Sequence, residues 1–306
     1  MTAPGIPNDL VLSTRCFGTR LKSIEDQAFA AVAMGFRRIE LGLSDSPPTM
    51  NGFEDTRRET GVQVTSLIAG CLKARTDKMA CHLLASAKDD EREQALNSVR
   101  RHIQMAQRLA APVVVLRGSA VGDPKLHHEA ELLAHRIARE GLTEELREGA
   151  RSIVHRVQRK GQRQLEHLCR SVHALALEFP ETRLALEPGA ELDDLLSFEA
   201  MGWVLDDLEK QRVAYWHDVG HVHMRERTGL PDQGAWLEAF SSRMAGVHMH
   251  DAAEQETEMP PGQGEVDFKL LAEYVPKTAS KVLDVSPRHG RTEILASVQF
   301  LVELGF

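Results

Sequence analysis

Val213-Ala214-Tyr215-Trp216-His217-Asp218-Val219-Gly220-His221 is an apolar run that ends in Asp-x-x-His, and it has three counterparts in chain order. Leu184-Ala185-Leu186-Glu187-Pro188-Gly189 precedes it and ends on a glutamate. Met244-Ala245-Gly246-Val247-His248-Met249-His250-Asp251 follows and ends on His-x-x-Asp, and Val282-Leu283-Asp284 ends on a further carboxylate. A metal-binding residue type at one strand end is ordinary. Four in succession, each at the same end of its strand, converge on one point when parallel strands close into a barrel whose site lies at their carboxyl ends.

The rest of the chain alternates in the same way. Strands are predicted at 10–13, 38–41, 62–68, 112–116, 184–187, 213–216, 246–249 and 281–285. Helices are predicted at 23–34, 53–60, 89–109, 164–178, 198–208, 236–240, 268–274 and 292–304. Ser23 with Asp26 reads as a helix start and Gly35 as its stop. The strands are short and apolar throughout, as expected when both faces are covered. Eight strand–helix pairs are what an α/β, (β/α)8 TIM barrel requires. Residues 119–161 exceed that plan. They are charged and helix-favouring, with helices predicted at 129–140 and 143–157, and read as a helical insertion after the fourth strand. The alternative for this segment is a lid or an oligomer contact. The whole chain, 1–306, is expected to form one domain.

Composition narrows the function. A chain of 306 residues that is 42% hydrophobic can bury a barrel core, and it contains no run of about 18 apolar residues that would span a membrane. Residues 1–9 have no basic start followed by an apolar stretch, which argues against a secretory signal. The net charge of −8 gives no overall footprint for nucleic acid, although 147–163 is locally rich in Arg and Lys. Cys16, Cys71, Cys81 and Cys169 lack Cys-x-x-Cys spacing and read as reduced, mostly buried thiols of a cytoplasmic protein.

A hard or borderline divalent cation takes carboxylates and imidazoles. Glu187, Asp218, His248 and Asp284 supply three carboxylates and one nitrogen, a set that suits one Mn2+, Mg2+, Co2+, Fe2+ or Zn2+. An octahedral ion held this way keeps open positions for a substrate hydroxyl and the neighbouring carbonyl, which would acidify the adjacent C–H. Singly, each residue has a blander reading. Glu187 before Pro-Gly belongs equally to a turn, Asp218 to a helix N-cap, and His248 to a satisfied core histidine. The set carries the argument.

Glu187, Asp218-Val219-Gly220-His221, Val247-His248-Met249-His250-Asp251 and Pro261-Gly262-Gln263-Gly264-Glu265-Val266-Asp267-Phe268 together resemble the sugar phosphate isomerase/epimerase family. That family belongs to the xylose isomerase-like TIM barrel superfamily, which also includes endonuclease IV. Gly35-Phe36-Arg37-Arg38-Ile39-Glu40-Leu41 is similar to the family's second-strand pattern. The resemblance implies one metal ion held by Glu187, Asp218, His248 and, in place of a family glutamate, Asp284. It implies that Glu187 and Asp284 are catalytic, exchanging a proton on opposite faces of the substrate, and that His221 contacts substrate. Asp284 is a methylene shorter than the glutamate it replaces, which compromises its reach to the substrate carbon more than metal binding.

Arg117 after the fourth strand and Arg288 after the eighth are placed to meet a carboxylate or phosphate, and Glu40 to bond sugar hydroxyls or pair with an arginine. Each reads equally as a surface charge. His217, His223 and His250 flank the proposed ligands and replace one of them if the strand register shifts by a residue. The expected activity is a divalent-metal-dependent isomerase or epimerase for a sugar, ketose or polyol-derived substrate. It would proceed by metal-assisted proton transfer through an enediolate, with Glu187 as general base. A lyase or dehydratase on the same fold and a non-catalytic ligand-binding barrel are the alternatives. An endonuclease IV-like repair enzyme needs extra histidines after the early strands, where this chain has Ile68-Ala69-Gly70 and Arg117-Gly118. The expected partner is a small carbohydrate-type molecule, with no nucleic acid and no membrane. The resemblance implies a homodimer or homotetramer.

Overall fold

Eight parallel strands run β1 (Leu10–Ser13), β2 (Arg38–Leu41), β3 (Gln63–Ile68), β4 (Val113–Arg117), β5 (Arg183–Glu187), β6 (Ala214–Asp218), β7 (Met244–Met249) and, after a two-stranded hairpin of β8 (Asp251–Ala253) with β9 (Glu256–Met259), β10 (Ser280–Leu283). They close in the order β1-β10-β7-β6-β5-β4-β3-β2, each parallel to its neighbour. The structure is a computed structural model and describes residues 5–72, 81–254 and 256–306. Residues 1–4, part of the stretch read above for a leader, lie outside these. Among the described residues, no helix is long and apolar enough to cross a membrane.

The period-two alternation of strands explains where the site falls. On β4, Val113 and Val115 face the barrel interior, and the next residue of that parity is Arg117. The same count runs Ala185 to Glu187 on β5, Ala214 and Trp216 to Asp218 on β6, and Val282 to Asp284 beyond β10. Each interior row is thus an apolar plug with one polar residue at its carboxyl end. The opposite parity, including Leu116, Leu186, Tyr215 and Leu283, packs outward under the helices. Burying each such side chain contributes on the order of 2 kcal/mol. Trp216 fills the interior against Gly246, where a Cβ would lie only 2.3 Å from the indole, so the close approach requires glycine.

The insertion differs in detail from expectation. One helix spans Pro124–Glu140, capped by Asp123, and the next runs unbroken over Glu144–Glu178, capped by Thr143. The helices expected separately at 143–157 and 164–178 are therefore one. Gly161 does not interrupt it; the missing Cβ instead admits Leu195, whose Cδ2 would lie 2.4 Å away from one. His127 on the first helix bonds Asp193 in the loop after β5 at 2.8 Å, pinning the insertion over that strand end. A helix Val219–Glu226 directly after β6 and the β8–β9 hairpin were not expected, and the helix expected at 236–240 begins earlier, spanning Gln233–Phe240.

Candidate metal centre

Glu187, Asp218 and His248 are buried, and one ligand atom of each lies within 4.8 Å of the others. Asp218 and His248 are ladder partners on β6 and β7, and Glu187 partners Arg117 on β4. The Trp216 ring lies against the His248 imidazole with centroids 5.1 Å apart.

The hydrogen bonds around these residues leave selected atoms unused. His248 Nε2 lies 3.0 Å from Glu40 Oε1, and the other Glu40 oxygen accepts from Ser66 Oγ at 2.7 Å. A carboxylate partner on Nε2 directs the lone pair of His248 to Nδ1. That Nδ1 is 2.8 Å from Glu187 Oε2 and 3.6 Å from Asp218 Oδ2, yet neither His248 Nδ1 nor Glu187 Oε2 makes a hydrogen bond. Leaving a buried polar atom unmade costs about 1–3 kcal/mol. Unpaired donor atoms that all face one point fit a divalent cation.

Asp218 performs two tasks. Its Oδ1 accepts from the His221 amide at 2.8 Å, capping the helix Val219–Glu226, and is 3.0 Å from His250 Nε2. The N-cap reading of this residue is realised, and its other oxygen, Oδ2, lies 3.6 Å from His248 Nδ1. His250 Nδ1 accepts from the Glu258 amide at 2.9 Å, so its Nε2 carries the proton that faces Asp218. Gly220 makes room for that ring, because a Cβ there would meet His250 Cε1 at 2.1 Å.

Glu187 Oε1 accepts from Arg117 Nε at 2.9 Å. Arg117 Nη2 is 3.0 Å from His221 Nε2, and His221 Nδ1 is 2.9 Å from the Pro188 carbonyl. A guanidinium only donates and a carbonyl only accepts, so Nδ1 bears the hydrogen and Nε2 is the acceptor. Asp284 stands apart from the three-residue cluster. Val282, not Asp284, is the ladder partner of His248, which places Asp284 nearer the barrel mouth. Its Oδ1 is buried without a hydrogen bond, and its Oδ2 is 3.5 Å from Arg15 Nη1.

Burial opposes charge on all three carboxylates, and their neighbours outweigh it. His248 and Arg117 hold Glu187 below the usual range, His221 and His250 hold Asp218 well below it, and Arg15 with His248 and His250 lowers Asp284. Burial likewise opposes a charged His248, but Glu40 and Glu187 raise its pKa well above the ordinary value. Positive charge is favoured at the point where the unpaired atoms meet.

The structure reassigns several sequence candidates. Glu40 is fully buried with one oxygen at His248 and the other at Ser66, so it backs His248 and presents no surface to a sugar hydroxyl. The register of the ligand strands is as read. His217 points outward to Tyr215 Oη and Gln233 Oε1, at 2.7 and 2.8 Å, where burial lowers its pKa to about 4. His223 lies 3.6 Å from Glu265, and His250 supports Asp218. Arg288 is half-exposed at the mouth and paired with Glu256. Asp251 accepts from the amides of Ala252, Gly262 and Val266, which shapes the Pro-Gly-x-Gly loop. Gly264 has to be glycine there, since a Cβ would lie 2.4 Å from Asp251 Oδ1. Arg15 was missed; it ion-pairs with both Glu258 and Asp284. Its only signal in the sequence is the strand-end position shared with Arg117. Among the described residues, Glu187, Asp218 and His248 form the one metal-type group found.

Glu40→Gln tests the support of His248. The amide cannot supply the carboxylate charge, and loss of such an outer partner typically costs about 10–100-fold in metal affinity. Competition with a chromophoric chelator is expected to record that drop; unchanged affinity would remove Glu40 from the centre.

The family described as xylose isomerase-like TIM barrel matches residues 28–303. The 3-keto-D-glucoside 4-epimerase of E. coli, in its apo form, superposes with a TM-score of 0.65 at 15% identity, over 97% of this chain and all (100%) of that one. A D-psicose 3-epimerase from Clostridium cellulolyticum H10, solved with D-tagatose, gives a TM-score of 0.68 at 13% identity over 96% of this chain and 98% of that one. The IOLI protein with a bound zinc atom gives 0.60 at 11% identity over 96% and 95%. At such identities these likenesses speak for the fold. No curated protein sequence matches this chain.

Proposed function

The chain belongs to the xylose isomerase-like TIM barrel family, and from that premise we propose that it is a divalent-metal-dependent isomerase or epimerase acting on a sugar-like hydroxy-carbonyl compound. The observation that carries this reading is the set of unpaired buried atoms, His248 Nδ1 and Glu187 Oε2, beside Asp218 at the carboxyl ends of the barrel strands. Glu187, Asp218 and His248 would hold the ion, with Asp284 as a fourth donor from the mouth side. When bound, such an ion supplies Lewis-acid polarisation of a carbonyl.

The chain's own groups do the rest. Glu187 is kept ionised by Arg117 and His248, and its Oε1 takes the proton from the carbon beside the carbonyl. Arg117 fixes the direction of that carboxylate and also holds His221, whose ring faces the same space. Asp284 Oδ1, ionised and without a hydrogen bond, is the second proton-exchanging oxygen. The sugar epimerases among the structural neighbours support a carbohydrate-type substrate.

Protein loaded with Mn2+, Co2+ or Zn2+ and incubated in D2O with ketoses, inososes and keto-sugars tests the proposal. The expected NMR result is deuterium at the carbon next to the carbonyl, with an isomer or epimer accumulating. Loss of a β-substituent in the same assay would assign a lyase instead. Absence of exchange with every compound, in protein carrying one ion per chain, would overturn the reading.

A further inference from the structure

We infer that the substrate carries an anionic group, a carboxylate or a phosphate, seated between Arg15 and Arg117 on the mouth side of the centre; this rests on the proposed function and narrows its substrate class. A cavity of about 460 Å3 opens there. Its lining includes the arginines Arg15, Arg20, Arg117 and Arg288, against Asp45 as the acidic residue among the lining side chains. Two of the four arginines are spent on structure or at the rim. Arg20 donates to the carbonyls of Cys16, Phe17 and His289, and Arg288 pairs with Glu256.

Arg15 and Arg117 differ from those two. Each is anchored to a carboxylate at the centre, Arg15 to Asp284 and also to Glu258, and Arg117 to Glu187, yet the side chains of Arg15 and Arg117 remain about a quarter exposed, at 26% and 25%. Arg117 commits Nε and Nη2, and among the described residues its other donors make no hydrogen bond. Both guanidiniums feel Asp284 and Asp218, whose charge outweighs the repulsion of Arg15 by Arg117, so the two share one electrostatic neighbourhood. Guanidinium donors lining one cavity suit a planar carboxylate or a phosphate. A neutral sugar gains no such advantage. Because both anchors are residues of the centre itself, the anion lies close to the reacting carbon. A keto acid with its carboxylate near the carbonyl therefore fits better than a phosphate at the far end of a chain.

Isothermal titration of the Mn2+-loaded protein with 2-ketogluconate, fructose and fructose 1-phosphate tests this at low salt. The expected result is that 2-ketogluconate binds at least about tenfold tighter than fructose; tighter binding of the phosphate ester alone would assign the anion as a phosphate. Raising the salt is expected to weaken the charged compound and not fructose, a readout that needs no variant. Arg15→Gln and Arg117→Gln are each expected to lose the preference while keeping the metal, and Arg15→Lys to retain part of it. Equal binding of all three compounds, or a preference that survives both glutamine variants, would overturn the inference. The same titration without metal separates the two proposals. A charge preference that is lost in Arg15→Gln supports the anion seat even where the exchange assay fails.

Discussion

Replacing His248 with alanine is expected to lower the affinity of the centre for Mn2+ or Zn2+ by more than about 100-fold, beyond the cost of losing an outer partner. The substitution removes the nitrogen whose unpaired Nδ1 faces Glu187 and Asp218. It also strands Glu40 Oε1, a buried acceptor, at a cost of about 1–3 kcal/mol in stability. His248→Gln, whose amide can still donate to Glu40, separates the two effects: its metal affinity falls while its Tm stays nearer the wild type. In the wild type, a proton competes with metal for Nδ1. The neighbouring carboxylates raise the His248 pKa well above its usual value, so the proton is held to higher pH than on a free imidazole. Metal affinity is therefore lost as pH falls and regained as it rises, by up to about tenfold per pH unit. Equilibrium dialysis at several pH values checks both points. About one ion per chain retained by His248→Ala, or an affinity in the wild type indifferent to pH, would exclude His248 as a ligand.

Glu187→Gln is expected to slow exchange of the substrate proton by roughly 10^2 to 10^4-fold, the usual contribution of a positioned base. Glutamine keeps an oxygen for Arg117 Nε but cannot take up the proton. Metal analysis of the variant shows how much of the loss comes from weaker binding. Asp284→Asn discriminates between mechanisms. With two bases, exchange into substrate persists and epimer formation stops; with Glu187 acting alone, both persist. A Glu187→Gln protein that loads metal and exchanges at the wild-type rate would assign the base elsewhere.

The fold and the candidate metal-site residues were legible because both follow from local pattern. Strands covered on two faces must be apolar throughout, and a polar residue at the carboxyl end of such a run has few roles other than the site. Asp218, preceded by Ala214 and Trp216 on the interior parity, is the clearest case. The N-cap alternative did not compete with this, since Asp218 caps the helix with Oδ1 while its other oxygen, Oδ2, faces His248 Nδ1.

What stayed hidden involves pairings between residues far apart in the chain. Glu40 reads as a sugar-binding carboxylate until it is found against His248, 208 residues away. The stretches 143–157 and 164–178 read as two helices, whereas one helix runs through both with Leu195 packed on Gly161. Arg15 carries no motif, and its role follows only from Asp284 and Glu258 being brought to it. Strand periodicity carries the barrel, and side-chain chemistry singles out the candidate donors. Their convergence depends on folding, because the register between β7 and β10 places Val282, and not Asp284, beside His248.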